Sequence, residues 1–128
     1  MKLFFFTACI FVCCKLQAQQ STLENLLGVW KGTSLCQVKN SPCHDETNVY
    51  YITKGNSDDS CSIRANKIVN GKEEEMGTLP CRIDKENNEI ISSSHNAKWT
   101  FKLKGEKLEG TLVYQNSLYR VIELSKVK

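Results

Sequence analysis

The sequence of 128 residues has little net charge of either sign. Its 17 lysines and arginines against 14 aspartates and glutamates give a formal net charge of +3. A chain so near neutrality offers no electrostatic attraction for nucleic acid or for an anionic membrane surface. Its longest apolar run, residues 3–14, is also short of the roughly 20 residues that a transmembrane helix needs. Nucleic acid is therefore not expected as a partner. No transmembrane segment is expected in the mature chain, which is the part that remains after the cleavage described below.

Catalytic and metal-binding motifs are missing as well. There is no Gly-x-Ser-x-Gly nucleophile elbow, and the cluster Cys43-His44-Asp45-Glu46 lacks the separated ligand pairs of a zinc site. Neighbouring side chains of an extended chain point to opposite faces, so His44 and Asp45 are poorly placed for acid–base chemistry. His95, the only other histidine, lies in a serine-rich turn. We therefore expect a protein that is not an enzyme and that uses no metal or cofactor.

The first 18 residues have the layout of a secretory signal peptide. Lys2 precedes the apolar run, and a short polar stretch ends at Ala18, after which cleavage is expected. A lipoprotein signal acylated at Cys13 or Cys14 is the less favoured alternative, because neither cysteine follows a small residue. The sequence therefore predicts a secreted or periplasmic protein.

The remaining segment, residues 19–128, has the length of one domain with its own core. Its net charge falls to +1, because residues 1–18 contain two lysines and no acidic residue. An even number of cysteines in an exported chain is typical of disulfide bonds. Four cysteines lie in this segment: Cys36, Cys43, Cys61 and Cys81.

A turn signal, Asn70–Gly71, selects one pairing of these cysteines. It lies between two strand-like runs, and a three-residue loop beginning at Asn70 places Cys61 directly opposite Cys81. Directly opposed residues of antiparallel strands come within disulfide range. By elimination Cys36 pairs with Cys43 and closes a short loop.

From residue 29 onward, short strand-like runs alternate with turn-rich stretches. Eight short strands at such regular spacing are typical of an all-β barrel or sandwich. Before them, residues 21–28 carry helix-start residues and a glycine stop, which predicts one to two helical turns. The predicted strands cover residues 29–38, 47–54, 61–69, 76–83, 89–93, 97–103, 107–114 and 118–125.

Two local features need an explanation. Arg120 shares a face of the last predicted strand with Ile122 and Leu124, so a charged side chain lies on a largely aliphatic face. A Gly-x-Trp pattern, Gly28 and Trp30, stands where the predicted helical turn meets the first strand.

In these features the chain resembles the lipocalins and the wider calycin group, and more loosely short exported bacterial proteins of the same general type. The resemblance implies an eight-stranded antiparallel up-and-down β-barrel with a short N-terminal helical turn. It also implies that Gly28 bends the chain into the first strand and that Arg120 packs across Trp30 to close one end, a contact that cation–π attraction favours. The chain lacks the Thr-Asp-Tyr element and the usual disulfide placement of the lipocalins.

The resemblance favours a protein that binds a small apolar or amphipathic molecule in the barrel mouth, opposite the end closed by Trp30. An eight-stranded barrel is just wide enough to be filled by side chains or to hold one small ligand. The alternative is therefore a protein-interaction module, such as a protease-inhibitor-like barrel with a filled core and a protein partner. The candidate cavity residues are aromatic: Tyr50, Tyr51, Trp99, Phe101 and Tyr114.

Overall fold

A computed structural model describes residues 24–128 and shows a closed barrel of eight antiparallel strands. Each strand pairs with its neighbours in sequence, and the last returns to pair with the first, so the barrel is up-and-down as expected. Residues 24–26 form a short helical turn before the first strand. The strands are β1 Gly28–Cys36, β2 Glu46–Lys54, β3 Ser60–Val69, β4 Lys72–Asp84, β5 Glu89–Ser94, β6 Ala97–Lys104, β7 Lys107–Tyr114 and β8 Ser117–Lys126.

The fold prediction is confirmed, and the largest difference in strand bounds is in β4. Strand β4 begins at Lys72 and not at residue 76. The predicted signal peptide, residues 1–18, lies outside the described residues. Within residues 24–128, no helix is both long and apolar enough to pass through a membrane.

The two ends of the barrel differ in what covers them. We call the end that carries residues 24–27 and the turns 55–59, 85–88 and 105–106 the sealed end. The opposite end, which carries the loop 37–45 and the turns 70–71, 95–96 and 115–116, is the open end.

The β3–β4 turn is one residue shorter than predicted. Asn70 and Gly71 have φ angles of 52° and 80°, which suits a two-residue turn with both central residues in the left-handed region. Val69 therefore pairs with Lys72, whereas the predicted three-residue loop would have placed it opposite Glu73.

A β-bulge restores the predicted register farther along the same hairpin. Glu75 pairs with Asn66 and Gly77 pairs with Ala65, so Met76 is an additional residue in β4. Gly77 has a φ of 150°, a conformation that glycine adopts without a side-chain clash. Beyond the bulge, the opposed positions are those that the sequence predicted.

Both predicted disulfides are present. Cys61 and Cys81 are directly opposed, with their Cα atoms 4.9 Å apart. Cys36 and Cys43 are joined across the loop between β1 and β2, with their Cα atoms 5.9 Å apart. The Cys61–Cys81 bond thus joins the two strands of the β3–β4 hairpin, and the Cys36–Cys43 bond constrains the β1–β2 loop at the open end.

The inward-facing side chains change character along the barrel axis. Toward the sealed end they are apolar and form a filled core, in which each large side chain contributes about 1.5–3 kcal/mol by burial. Toward the open end, inward positions on β1, β2 and β8 are polar or aromatic. The fully buried apolar side chains are Leu26, Trp30, Ile52, Ile63, Ile90, Phe101, Leu108, Ile122 and Leu124.

Candidate functional site

The sealed end is closed by a tryptophan and a lysine. Trp30 is buried, and its indole Nε1 donates a hydrogen bond to the Leu26 carbonyl oxygen at 3.0 Å. Lys126 Nζ lies 5.6 Å from the centroid of the indole ring and donates to the Asn25 carbonyl oxygen at 2.9 Å. Gly28 has a φ of 124°, and a Cβ there would lie 3.0 Å from Lys126 Cε. Gly28 and Trp30 thus both lie at the sealed end, next to Lys126.

The predicted contact between Arg120 and Trp30 is wrong. On the β1–β8 ladder Trp30 pairs with Lys126, whereas Arg120 pairs with Cys36. These pairs are six residues apart along each strand, which is about 20 Å at 3.3 Å per residue. The last strand runs on to Lys126, so lysine and not arginine lies over the indole ring.

A cavity of about 690 Å³ occupies the open end. Its wall combines aromatic and aliphatic side chains with several polar ones. Three of the five predicted cavity residues, Tyr50, Trp99 and Tyr114, lie in this wall. Its main apolar and aromatic members are Tyr50, Trp99, Leu112, Tyr114, Tyr119 and Ile122.

Tyr51 lies outside the barrel, contrary to prediction. Its hydroxyl lies 2.9 Å from both carboxylate oxygens of Glu73, and the Arg64 guanidinium stands 4.3 Å from the ring centroid. The hydrogen bond to Glu73 is the main cause that raises the pKa of Tyr51. Since Tyr50 points inward, strand alternation directs Tyr51 outward.

Phe101 forms the floor beneath the cavity and is not part of its wall, so this prediction is also corrected. The ring is fully buried and meets Tyr50 edge to face, with centroids 5.7 Å apart. Gly110 pairs with Phe101 across the β6–β7 ladder and leaves the space that the ring fills. Phe101 thus separates the open cavity from the filled core.

Arg120 instead ties the strands together at the open end. Its Nη1 donates to the carbonyl oxygens of Ser34 at 3.2 Å and His44 at 3.1 Å. Its Nη2 lies 3.5 Å from Glu46 Oε1, and both side chains are largely buried. The guanidinium is therefore compensated in charge and holds the β1–β2 loop against β8.

Tyr50 brings a hydroxyl into this partly apolar space. Burial raises the pKa of Tyr50 to about 12, an effect that the Arg120 cation opposes and the Glu46 carboxylate reinforces. The phenol is therefore neutral at physiological pH.

Asn48 is the site residue that the sequence analysis missed. It lies on β2 between Glu46 and Tyr50 on the inward face, lines the cavity, and is 1% exposed. Its Oδ1 has no hydrogen-bond partner among the described residues. Alternation along β2 from the buried Ile52 could have placed Asn48 inside, but not its position along the barrel axis.

A seam in the barrel wall borders the cavity. Strands β4 and β5 pair only over Arg82–Asp84, so residues 72–81 have no β5 partner in the ladder. Across the seam, Ser92 Oγ donates to the Pro80 carbonyl oxygen at 2.7 Å. Residues 76–79 of β4 and residues 94–95 beyond the seam both contribute to the cavity wall.

The candidate catalytic side chains, His44, Asp45 and His95, form hydrogen bonds only with residues nearby in the sequence. His44 Nδ1 lies 3.2 Å from the Pro42 carbonyl oxygen, and Asp45 Oδ1 accepts from the Cys36 N–H at 2.8 Å. His95 Nδ1 lies 2.7 Å from the hydroxyl of its neighbour Ser94. Residues 24–128 contain no group of three or more His, Cys, Asp or Glu side chains placed to hold a metal ion.

A solved structure of another protein is similar to this chain over most of its length. No family model and no curated protein matches the chain. Among solved structures, the crystal structure of a mutant of the fluorescent protein UnaG matches with a TM-score of 0.52 and 12% sequence identity, covering 83% of this chain and 99% of that one. Likeness at this identity concerns the fold alone. The chain therefore has a closed eight-stranded antiparallel barrel fold, which it shares with this fluorescent protein.

Proposed function

We propose that the protein is exported and holds a small apolar or amphipathic molecule in the cavity at its open end. The observation that carries the proposal is the cavity of about 690 Å³ with aromatic and aliphatic walls. Small-molecule sites are typically concave, of about 300–1,000 Å³, with mostly apolar walls and a few placed polar groups. Asn48, Tyr50 and Arg120 supply such groups here.

Export is part of the proposal and rests on the signal-peptide layout of residues 1–18. The two disulfides, Cys36–Cys43 and Cys61–Cys81, support it, because such bonds persist in oxidising compartments. We also propose that the protein is not an enzyme, since its histidines make only local contacts.

Native mass spectrometry of the protein isolated from its own secretion compartment tests this function. A mass above that of the disulfide-bonded chain, lost on denaturation, is the expected result and gives the mass of the ligand. A matched pair of variants tests whether the ligand lies in the cavity. Ala65→Phe fills the cavity from β3, whereas Val121→Phe adds the same ring to an exposed outward position. Ligand should be lost only from Ala65→Phe; a protein recovered without ligand, or an equal effect of both variants, would argue against the proposal.

A protein-interaction function is the second candidate, favoured by apolar side chains exposed at the open end. Leu35 and Val121 oppose each other on the outer face of the β1–β8 ladder, with exposures of 41% and 38%. Leu118 lies nearby on β8 and is also exposed. If this surface binds a protein, replacing Leu35 and Val121 by serine abolishes co-purification of the partner while any ligand stays bound.

A further inference from the structure

Among the described residues, Arg120 is the only lysine or arginine that lines the open-end cavity, and it already has an acidic partner. The Arg120 guanidinium faces the Glu46 carboxylate at 3.5 Å, and its Nη1 already donates to two backbone carbonyl oxygens and lies 3.3 Å from the Ser34 hydroxyl. An anionic ligand at this guanidinium would also meet the Glu46 carboxylate, which already compensates its charge. The charges of the cavity therefore favour a neutral ligand.

Two buried side-chain oxygens of the described residues lack a partner, Asn48 Oδ1 and Asn66 Oδ1, and of these residues only Asn48 lines the cavity. Asn48 Oδ1 is buried in the cavity wall with no donor directed at it from the described residues. A buried polar atom without a partner costs free energy, and such atoms are few in native proteins. A carbonyl oxygen accepts but cannot donate, so only an N–H or O–H can satisfy it.

We propose that the Asn48 side chain, whose Oδ1 is fully buried in this structure, turns toward the cavity when a ligand enters, and that the ligand then donates an N–H or O–H hydrogen bond to Oδ1 while its apolar body lies against Trp99 and Leu112. These two residues oppose each other on β6 and β7 and both line the cavity. The ligand class is a neutral amphipathic molecule with one donor group, such as an alcohol, a phenol or an amide. This inference rests on the proposed function, because it names the chemistry of the ligand at the same cavity.

Three naphthalene probes with the same apolar body test the inference by isothermal titration calorimetry. 2-Naphthol has the donor, 2-methoxynaphthalene lacks it, and 2-naphthoate replaces it with an anion. We expect the wild-type protein to bind 2-naphthol about tenfold more tightly than 2-methoxynaphthalene, which corresponds to about 1.4 kcal/mol. The naphthoate should bind more weakly than the naphthol.

Two variants show whether Asn48 causes the preference. Asn48→Leu keeps the approximate side-chain volume and removes the acceptor, so the preference for the naphthol should disappear; Asn48→Ala should show the same loss if the leucine variant folds poorly. Ser92→Ala is the control, because Ser92 is buried but already bonded to Pro80. It should keep the tenfold preference.

The outcomes separate the two proposals. Failure of the wild-type protein to bind any of the three probes would overturn the proposed function together with this inference. Binding in which the ether equals the naphthol, the naphthoate is tightest, or Asn48→Leu keeps the preference would overturn this inference alone.

Discussion

Replacing Gly110 by alanine tests how tightly the floor of the cavity is packed. A Cβ at this position would lie 2.6 Å from Phe101 Cε1 and closer still to Cδ1. Carbon atoms in favourable contact stand about 3.5–4.0 Å apart, so the overlap is about 1 Å. Phe101 is fully buried and meets Tyr50 at its edge, which leaves the ring little room to retreat.

The expected cost follows from two opposing effects. Overpacking a well-packed core costs typically 1–3 kcal/mol, and two overlapping ring atoms place Gly110→Ala near the upper end. Alanine also restricts the backbone of the unfolded chain more than glycine does, which stabilises the folded protein by about 0.4–1 kcal/mol. Gly110→Ala should therefore lower the free energy of unfolding by about 2 kcal/mol, measured by urea denaturation with tryptophan fluorescence.

A double-mutant cycle assigns that loss to the ring. With Phe101→Leu in place the overlap is removed, so adding Gly110→Ala should cost less than about 0.5 kcal/mol. Glu109→Ala, at the adjacent surface position, should stay within about 0.5 kcal/mol of wild type. A Gly110→Ala loss that is small alone, or unchanged in the Phe101→Leu background, would refute the packing described for the cavity floor.

Three further predictions use stability measurements. Trp30→Ala should cost about 3–5 kcal/mol as a core truncation; a loss below about 1 kcal/mol would show that the sealed end does not depend on the indole. Burial raises the pKa of Tyr50 to about 12 from 10.0, so the phenol ionises more readily in the unfolded chain than in the folded protein. As the pH rises from 10 to 12, the free energy of unfolding should therefore fall by about 3 kcal/mol. Tyr50→Phe should lack that part of the alkaline loss seen in urea denaturation, whereas an identical pH profile would contradict the burial of the phenol. Asn48→Leu should raise the stability of the ligand-free protein by about 1 kcal/mol, and a clear decrease in its melting temperature would show that Asn48 is already satisfied.

The strand count and the disulfides were readable from the sequence because they depend on local patterns. Alternation and turn residues delimit each strand, and the Asn70–Gly71 turn fixes a hairpin register. That register placed Cys61 opposite Cys81 only because two errors cancelled: the turn is one residue shorter than predicted, and the bulge at Met76 adds one residue back. A bulge leaves no clear mark in a single sequence.

The candidate site was less predictable, because it depends on where each side chain lies along the barrel axis. Arg120 was expected over Trp30 because the family resemblance places an arginine of the last strand there; in the barrel, Lys126 is the residue of that strand that pairs with Trp30. Tyr51 could have been excluded by alternation with Tyr50. Asn48 could not have been identified, because its importance arises from the absence of a partner across the barrel, and no local pattern records that.

The seam between β4 and β5 makes the barrel wall vulnerable to unwanted strand addition. An unpaired strand edge is a template on which another chain can add a strand and begin to aggregate. The carbonyl of Pro80 faces the seam, where it accepts from Ser92, and in a strand the nitrogen of the same residue faces the same side. Proline has no N–H, so this edge offers no donor there. Glu73, Glu74 and Glu75, all exposed on the same strand, add charges that repel a second copy, and the seam can stay open without recruiting another chain.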